Sequence, residues 1–287
     1  MRYAHLTFPY FRPWLDQRDD NLVAIGARLI GEPIGLLLAR VGDAQAGEIH
    51  SVYVAEAHRR RGIAARLLAE AECELFRRGA VGSVLTYMDG GPSTPALEGL
   101  LDKLGWGPPT PRMLICRSDF ETITKAPWMA KREFPAEFEV FQWSDLTASD
   151  REDILDRQRR CEWFPELLTP FWKEDQIEPV SSLGLRYRGE IVGWCISHRV
   201  DRETIRFARL FVRKDLQSTA RAVALLAQSI CRHQNTEVQK AIYDVAAQNE
   251  TMLRFVQRRL APYMKSIRTI QRRAKRFDAT LAREAHV

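Results

Sequence analysis

Three consecutive arginines followed by a glycine, Arg59-Arg60-Arg61-Gly62, are where residue type and spacing first suggest chemistry. Residues 49–54, just before them, are β-branched and aromatic, the composition of a strand. From Gly62 onward come Ala, Leu, Arg and Glu, all good helix formers. A strand that feeds a helix through such a turn aims several backbone N–H groups at one point. The helix N-terminus adds roughly half a positive charge there. The stretch is therefore an anion site, and the usual anion is a phosphate or pyrophosphate.

The elements that position this loop follow from periodicity. Residues 22–25 and 34–41 read as two strands, with Gly31-Glu32-Pro33 as the hairpin signal between them. Residues 48–54 make the third strand. The helix from Gly62 runs to about Arg78, and Ile63, Leu67, Leu68, Ala71 and Leu75 give it one apolar face. A strand at 83–88, a helix at 95–104 stopped by Gly105, and a short strand at 113–116 follow. Periodicity lapses over 121–137, which holds Pro127 and Pro135, so the domain boundary falls there. The two domains are 1–126 and 138–287.

Beyond the boundary the same order recurs. A strand at 138–143 and helices at 149–160 and 165–172 lead to a hairpin at 183–199 that turns at Arg188-Gly189. A strand at 204–212, a helix at 220–233, a strand at 241–246 and a helix at 249–260 come next. The basic segment 263–277 closes the sheet. A repeated order of this kind implies two copies of one α/β fold. Laid on the first copy without gaps, Leu210-Phe211-Val212 matches Val52-Tyr53-Val54. In that register Gln217-Ser218-Thr219-Ala220-Arg221-Ala222 stands against Arg59-Arg60-Arg61-Gly62-Ile63-Ala64. Alanine tolerates close approach of a pyrophosphate less well than glycine, so the second loop is the weaker anion site.

The pattern Arg59-x-x-Gly62-x-Ala64, between a strand and an amphipathic helix, resembles the (Gln/Arg)-x-x-Gly-x-(Gly/Ala) signature of the GNAT N-acyltransferase superfamily. The helix ending Leu104-Gly105-Trp106 resembles that superfamily's second motif, which ends in a Leu-Gly-aromatic triplet. Residues 249–260 look like its second copy. The resemblance implies two tandem GNAT-like domains, each a mixed, mostly antiparallel sheet flanked by helices, as in mycothiol synthase-like arrangements. It implies acetyl-CoA or another acyl-CoA as donor. The pyrophosphate would sit on Arg59, Arg60, Arg61, Gly62, Ile63 and Ala64, and the pantetheine arm along Val52, Tyr53 and Val54, where the strand is splayed. An acceptor amine then attacks the thioester. The attack needs a base to deprotonate the amine and an N–H donor for the oxyanion. The family's base positions fall on Glu48 and His50, which simple alternation puts on one face with Val52 and Val54. Histidine titrates near neutrality, and a partly buried carboxylate can be raised toward it. The corresponding residues of the second copy, Arg206 and Ala208, are not bases at neutral pH. An active first domain and a non-catalytic second one follow.

Two departures qualify the resemblance. The family's tyrosine acid falls on Leu101, and on Val256 in the second copy. The proton for the leaving thiolate then comes from water or from elsewhere, for instance Tyr53 or Tyr87. The first domain also has only about twenty residues before its hairpin, too few for the helices that wall the family's acceptor site. The expectation is that the second domain completes that site, with Trp163, Phe164, Phe171 and Trp172 either lining it or packing their own core.

Bulk properties narrow the setting. The 287 residues are 45% hydrophobic and 28% charged, a globular composition without a disorder signature. No apolar run long enough for a membrane span and no signal-peptide pattern appear, and the five cysteines lack zinc spacing. A reducing cytoplasm and no metal are expected. The net charge of +6 lies in the second half, where the segment from Arg258 to Arg276 has no acidic residue. That segment is either a solvated face or a dock for an acidic partner, whether peptide, carrier protein or RNA. DNA is not an expected partner, since no recognition helix follows the arginines. The acceptor is an amine-bearing small molecule or peptide. The alternatives are a non-catalytic acyl-CoA-binding sensor and an aminoacyl-tRNA-dependent tandem GNAT transferase.

Overall fold

The computed structural model describes residues 2–16, 19–42, 45–233 and 236–277. Residues 278–287 of the expected second domain lie outside them. Two compact units are present, Met1–Arg112 with the segment from Thr269, and Met113–Arg268.

In the first unit, β1 (Leu22–Leu29), β2 (Glu32–Val41) and β3 (Ala46–Val54) form an antiparallel meander. Ile30 and Gly31, at φ 50° and 83°, supply the paired positive values that a two-residue hairpin turn needs. Pro33, expected in that turn, instead lies in β2 opposite Arg28, beside a bulge where its missing N–H is tolerated. Helix α1 (Ile63–Arg77) then crosses to β4 (Gly82–Met88), which runs parallel to β3. Helix α2 (Thr94–Lys103) follows, and β11 (Ser266–Arg276) completes this sheet antiparallel to β4.

One sheet face buries Leu37, Ala39 and Ile49 against Leu67, Leu68 and Leu75 of α1 and Leu101 of α2. The other buries Leu36 and Leu38 under Leu6, on short turns at Ala4–Leu6 and Pro9–Leu15. Gly105, at φ 73°, ends α2, and the N–H of Trp106 returns to the carbonyl of Leu101. That turn buries Trp106, whose indole N–H donates to Glu72 of α1 at 3.0 Å. Lys275 of β11 meets the same carboxylate at 2.6 Å. Burial raises the Glu72 carboxyl above its ordinary value, and Lys275 and Trp106 oppose that shift.

In the second unit, β6 (Phe138–Gln142), β7 (Leu183–Tyr187), β8 (Glu190–Arg199) and β9 (Thr204–Val212) are antiparallel neighbours. β10 (Lys240–Ala246) runs parallel to β9, and β5 (Thr110–Asp119) pairs antiparallel with β10. Short α3 (Phe120–Ile123) follows β5, and α4 (Ala148–Cys161), α5 (Arg221–Cys231) and α6 (Glu250–Phe255) complete the unit. The hairpin turn again carries paired positive φ values, 50° at Arg188 and 86° at Gly189.

The mixed, mostly antiparallel sheet expected of each repeat is therefore present, but the last strand of each repeat is exchanged. β5 ends the first repeat in sequence yet pairs with β10, and β11 ends the second yet pairs with β4. Compactness divides the chain at 112 and 269, whereas the sequence boundary at 121–137 marks only where one repeat stops. The helix expected at 165–172 is absent. Pro165 and Pro170 interrupt it, leaving a single short turn at Glu166–Leu168. Over 249–260, α6 passes into a π-turn at Val256–Leu260.

Candidate active site

The candidate site centres on one irregularity of β3. Leu38 pairs with Ser51 and Ala39 with Ile49, so His50 is an extra residue, a β-bulge. The bulge resets the alternation. Ile49, Val52 and Val54 face α1, while Ser51 faces the opposite layer, where it receives a hydrogen bond from Thr7 at 3.1 Å. His50 sits on that opposite layer too, edge-on to Trp14 at 5.0 Å and near Phe11 at 5.7 Å. Glu48 pairs with Arg40 and stands 3.8 Å from the His50 imidazole. The single face expected for Glu48, His50, Val52 and Val54 is thus corrected. The two candidate bases do lie together, but on the sheet face away from Val52 and Val54. Strict alternation fails because a bulge adds a residue without adding a pair.

The ladder between β3 and β4 ends nearby. Its last pair is Ile49 with Leu85, although β3 continues to Val54 and β4 to Met88. The strands therefore part at His50, and the edge of residues 50–54 that faces β4 has no ladder partner there. Such an edge offers N–H and C=O groups to an extended ligand or to an oxyanion.

Burial is the main influence on His50 and lowers its pKa. Glu48 opposes the shift and Arg40 adds to it. The imidazole is thus neutral at physiological pH and able to accept a proton. Arg40 is itself held by Asp19 at 2.7 Å and lies on the Trp14 ring at 3.9 Å. Trp14, Phe11 and Arg40 are missing from the sequence reading of the site. The only signal was the aromatic, proline-punctuated N-terminal stretch, and nothing in its spacing ties it to His50.

The arginine loop opens where β3 ends. A short turn at Glu56–His58 leads to Arg59, whose Nε donates to the carbonyl of Val54 at 3.1 Å and ties the loop to the strand end. Arg60 and Gly62 take φ values of 63° and 78°. Gly62 is the N-cap of α1 and makes no side-chain cap, so the first-turn N–H groups of Ile63 and Ala64 are left to a ligand or solvent. A Cβ at Gly62 would meet no atom of the described residues within 4 Å, so backbone conformation, not packing, calls for glycine. Arg59, Arg60 and Arg61 are exposed. These residues suit a pyrophosphate.

The second loop is closer to the first than substitution alone suggests. Ala220 caps α5 at φ 56°, ψ 19°, against 78° and −1° for Gly62. Gln217 donates from Nε2 to the carbonyl of Val212 at 2.7 Å, the bond that Arg59 makes to Val54. Glutamine is the alternative that the signature allows at that position, and its presence was legible in the sequence.

Leu101 is fully buried in the core and has no proton to give. Tyr53 is exposed beside Arg59. Tyr87 packs on the Val52 face and donates to Glu98 at 2.7 Å. Burial and Glu98 push its pKa up, so it remains a phenol. Of the second unit's aromatics, Trp163, Phe164 and Phe171 pack with Trp143, Trp194 and Phe211 in that unit's own core. The cleft-lining alternative therefore loses three of its four residues. The basic C-terminal run is also partly internal. Arg273 is buried and donates to the carbonyls of Gly107 at 2.6 Å and Glu98 and Trp106 at 3.2 Å, and also to Asp102. Among the described residues no helix is long and apolar enough to cross a membrane, and no His, Cys, Asp and Glu group is arranged to hold a metal.

Residues 1–106 match the model of the acetyltransferase (GNAT) family. No curated protein matches the chain by sequence. Among solved structures, it is similar to a tandem GNAT protein from the clavulanic acid biosynthesis pathway, at 15% identity and a TM-score of 0.61, over 93% of this chain and 86% of that one. A GCN5-related N-acetyltransferase from Sphaerobacter thermophilus gives 18% identity and 0.61, over 93% and 85%. The family match covers the first repeat, and as a whole the chain has the tandem GNAT fold.

Proposed function

We propose that the first unit is an acyl-CoA-dependent N-acyltransferase acting on a primary amine of a small molecule or peptide. One observation carries this reading: the bulge that presents His50 is also the point where β3 and β4 part. A base and an unpaired strand edge therefore meet at one place, with the arginine loop at the strand's far end. The loop from Arg59 to Ala64 holds the pyrophosphate of the donor, and the edge of Val52, Tyr53 and Val54 pairs with its pantetheine amides. Neutral His50, with Glu48 beside it, takes the proton from the attacking amine. Strand N–H groups at the bulge stabilise the oxyanion. CoA thiolate, with a pKa of about 8.5 by analogy to cysteine, needs little help in leaving, and Tyr87 is the phenol on the face that takes the donor.

The test is thiol release from acetyl-CoA and longer acyl-CoAs against a panel of amines, with His50→Ala as control. Amine-dependent release that the control loses supports the reading; release unchanged in His50→Ala overturns it. A sensor that binds acyl-CoA without turnover is the second reading, favoured by the burial of Leu101 where the family places its acid. Tight acyl-CoA binding without thiol release for any amine would select it.

A further inference from the structure

The second unit also has a bulge, but its surroundings carry the opposite charge. Ile196 pairs with Arg209 and Ser197 with Phe207, so Ala208 is the extra residue, and the ladder from β9 to β10 ends at Phe207 with Tyr243. On the sheet face away from α5 stand Arg206 and Arg209 of β9, His198 of β8 and Asp244 of β10. Arg206 lies 3.5 Å from Asp244, and Arg209 is half-buried beneath the ring of Trp172 at 4.4 Å. Trp172 also covers His198, which is 3% exposed, at 5.2 Å. Arg117 adds a further positive charge near Asp244, and Lys173 another near His198. Asp244 is the carboxylate that answers these cations.

The polar atoms here are also under-used. Nε of Arg206, Nε of Arg209, Nε2 of His198 and Oδ1 of Asp244 are buried and have no hydrogen-bond partner among the described residues. Arg209 donates from Nη1 to the carbonyl of Ala208 at 2.8 Å. Arg206, Arg209 and Arg117 share the single carboxylate of Asp244, an imbalance that is costly for half-buried guanidinium groups, and an oxyanion that accepts several N–H bonds reduces that cost. In the first unit Arg40, which takes the place of His198, already has Asp19 as its counter-charge.

We propose that the second unit is an oxyanion-binding module that takes a small carboxylate or phosphate between Arg206, Arg209 and His198, beside Trp172. Asp244, 3.5 Å from Arg206, opposes the charge of an incoming anion. The site is independent of the arginine loop of the first unit and of acyl transfer.

Thermal unfolding of the full chain, at constant ionic strength set with chloride, tests this with malonate and inorganic phosphate as probes. Either probe should raise the Tm at millimolar concentration, and the one that does so identifies carboxylate or phosphate as the ligand group. Arg209→Gln should abolish the shift, and Asp244→Asn should tighten binding about tenfold by removing the opposing charge. The double variant Arg60→Gln/Arg61→Gln should leave the shift intact. The proposal is overturned by no shift beyond chloride with either probe, or by a shift lost in the loop variant and kept in Arg209→Gln. Should Arg209→Gln fail to fold, Asp244→Asn decides, and unchanged or weaker binding in that variant sinks the proposal.

Discussion

His50 stands at the bulge of β3 and Ala208 at the bulge of β9, and in both sheets the parallel ladder ends just before it. Around the first are Glu48 and Arg40; around the second are Arg206 and His198, each pair directly across its two strands. The loops that follow share a left-handed N-cap and a side chain tied to the strand-end carbonyl. The difference teaches that the backbone device and the chemistry are separable. Bulge, splay and left-handed cap recur in both repeats, while the residues placed on them differ in chemistry, an imidazole beside a carboxylate in one and guanidinium groups in the other.

The largest expected effect comes from breaking that difference at the bulge. His50→Ala should lower kcat by about 10²- to 10⁴-fold, the usual worth of a positioned base, with little change in KM for acyl-CoA. Ala208→His should add no activity, because its neighbours are Arg206 and Arg209. Activity gained by Ala208→His in a chain that also carries His50→Ala would show that the two bulges are equivalent.

The next effect lies where the exchanged strands differ. Arg273 of β11 pairs with Leu85, and the residue that pairs at the same place in the second sheet is Cys116, fully buried. Arg273→Met keeps the volume but leaves the carbonyls of Gly107, Glu98 and Trp106 without their donor. A loss of about 3 kcal/mol is expected, read as a lower urea midpoint. An unchanged midpoint would mean that β11 is held by its ladder alone.

A smaller effect should appear at the two caps. Gly62→Ala places a Cβ on a left-handed residue and should cost about 1 kcal/mol while raising KM for acyl-CoA. Ala220→Gly, the reverse change in the second loop, should stabilise by up to about 1 kcal/mol and leave that KM alone. Equal changes in KM from both would place the donor on both loops.

Much of this was legible in residue types. The arginine loop, the repeat, both hairpin turns and the Leu-Gly-Trp helix end follow from local signals: glycine where φ is positive, apolar spacing where a helix is buried. The face of Glu48 and His50 was not legible, because a bulge is a pairing event between β2 and β3 that no residue of β3 announces. The strand exchange was hidden for a similar reason, since β5 and β11 each look like the natural end of their own repeat. Trp14 and Arg40 reach His50 only through long-range packing. Gln217 was legible as the glutamine that the signature allows in place of Arg59.

The smallest effect separates the two candidate bases. The His50 pKa is held below its ordinary 6.5 by burial, with Glu48 pulling it back up. A base must be neutral, so activity falls as pH drops through that lowered value, and the acidic limb lies below 6.5. Glu48→Gln removes the upward pull and should move the limb further down, by less than about one pH unit for a charge 3.8 Å away and partly in water. If His50 is the base, the plateau of kcat survives this change and only the limb moves. If Glu48 is the base, the plateau collapses while the limb loses its meaning. The bulge gives both side chains the same face and nearly the same place, so geometry does not choose between them; the direction of the limb does.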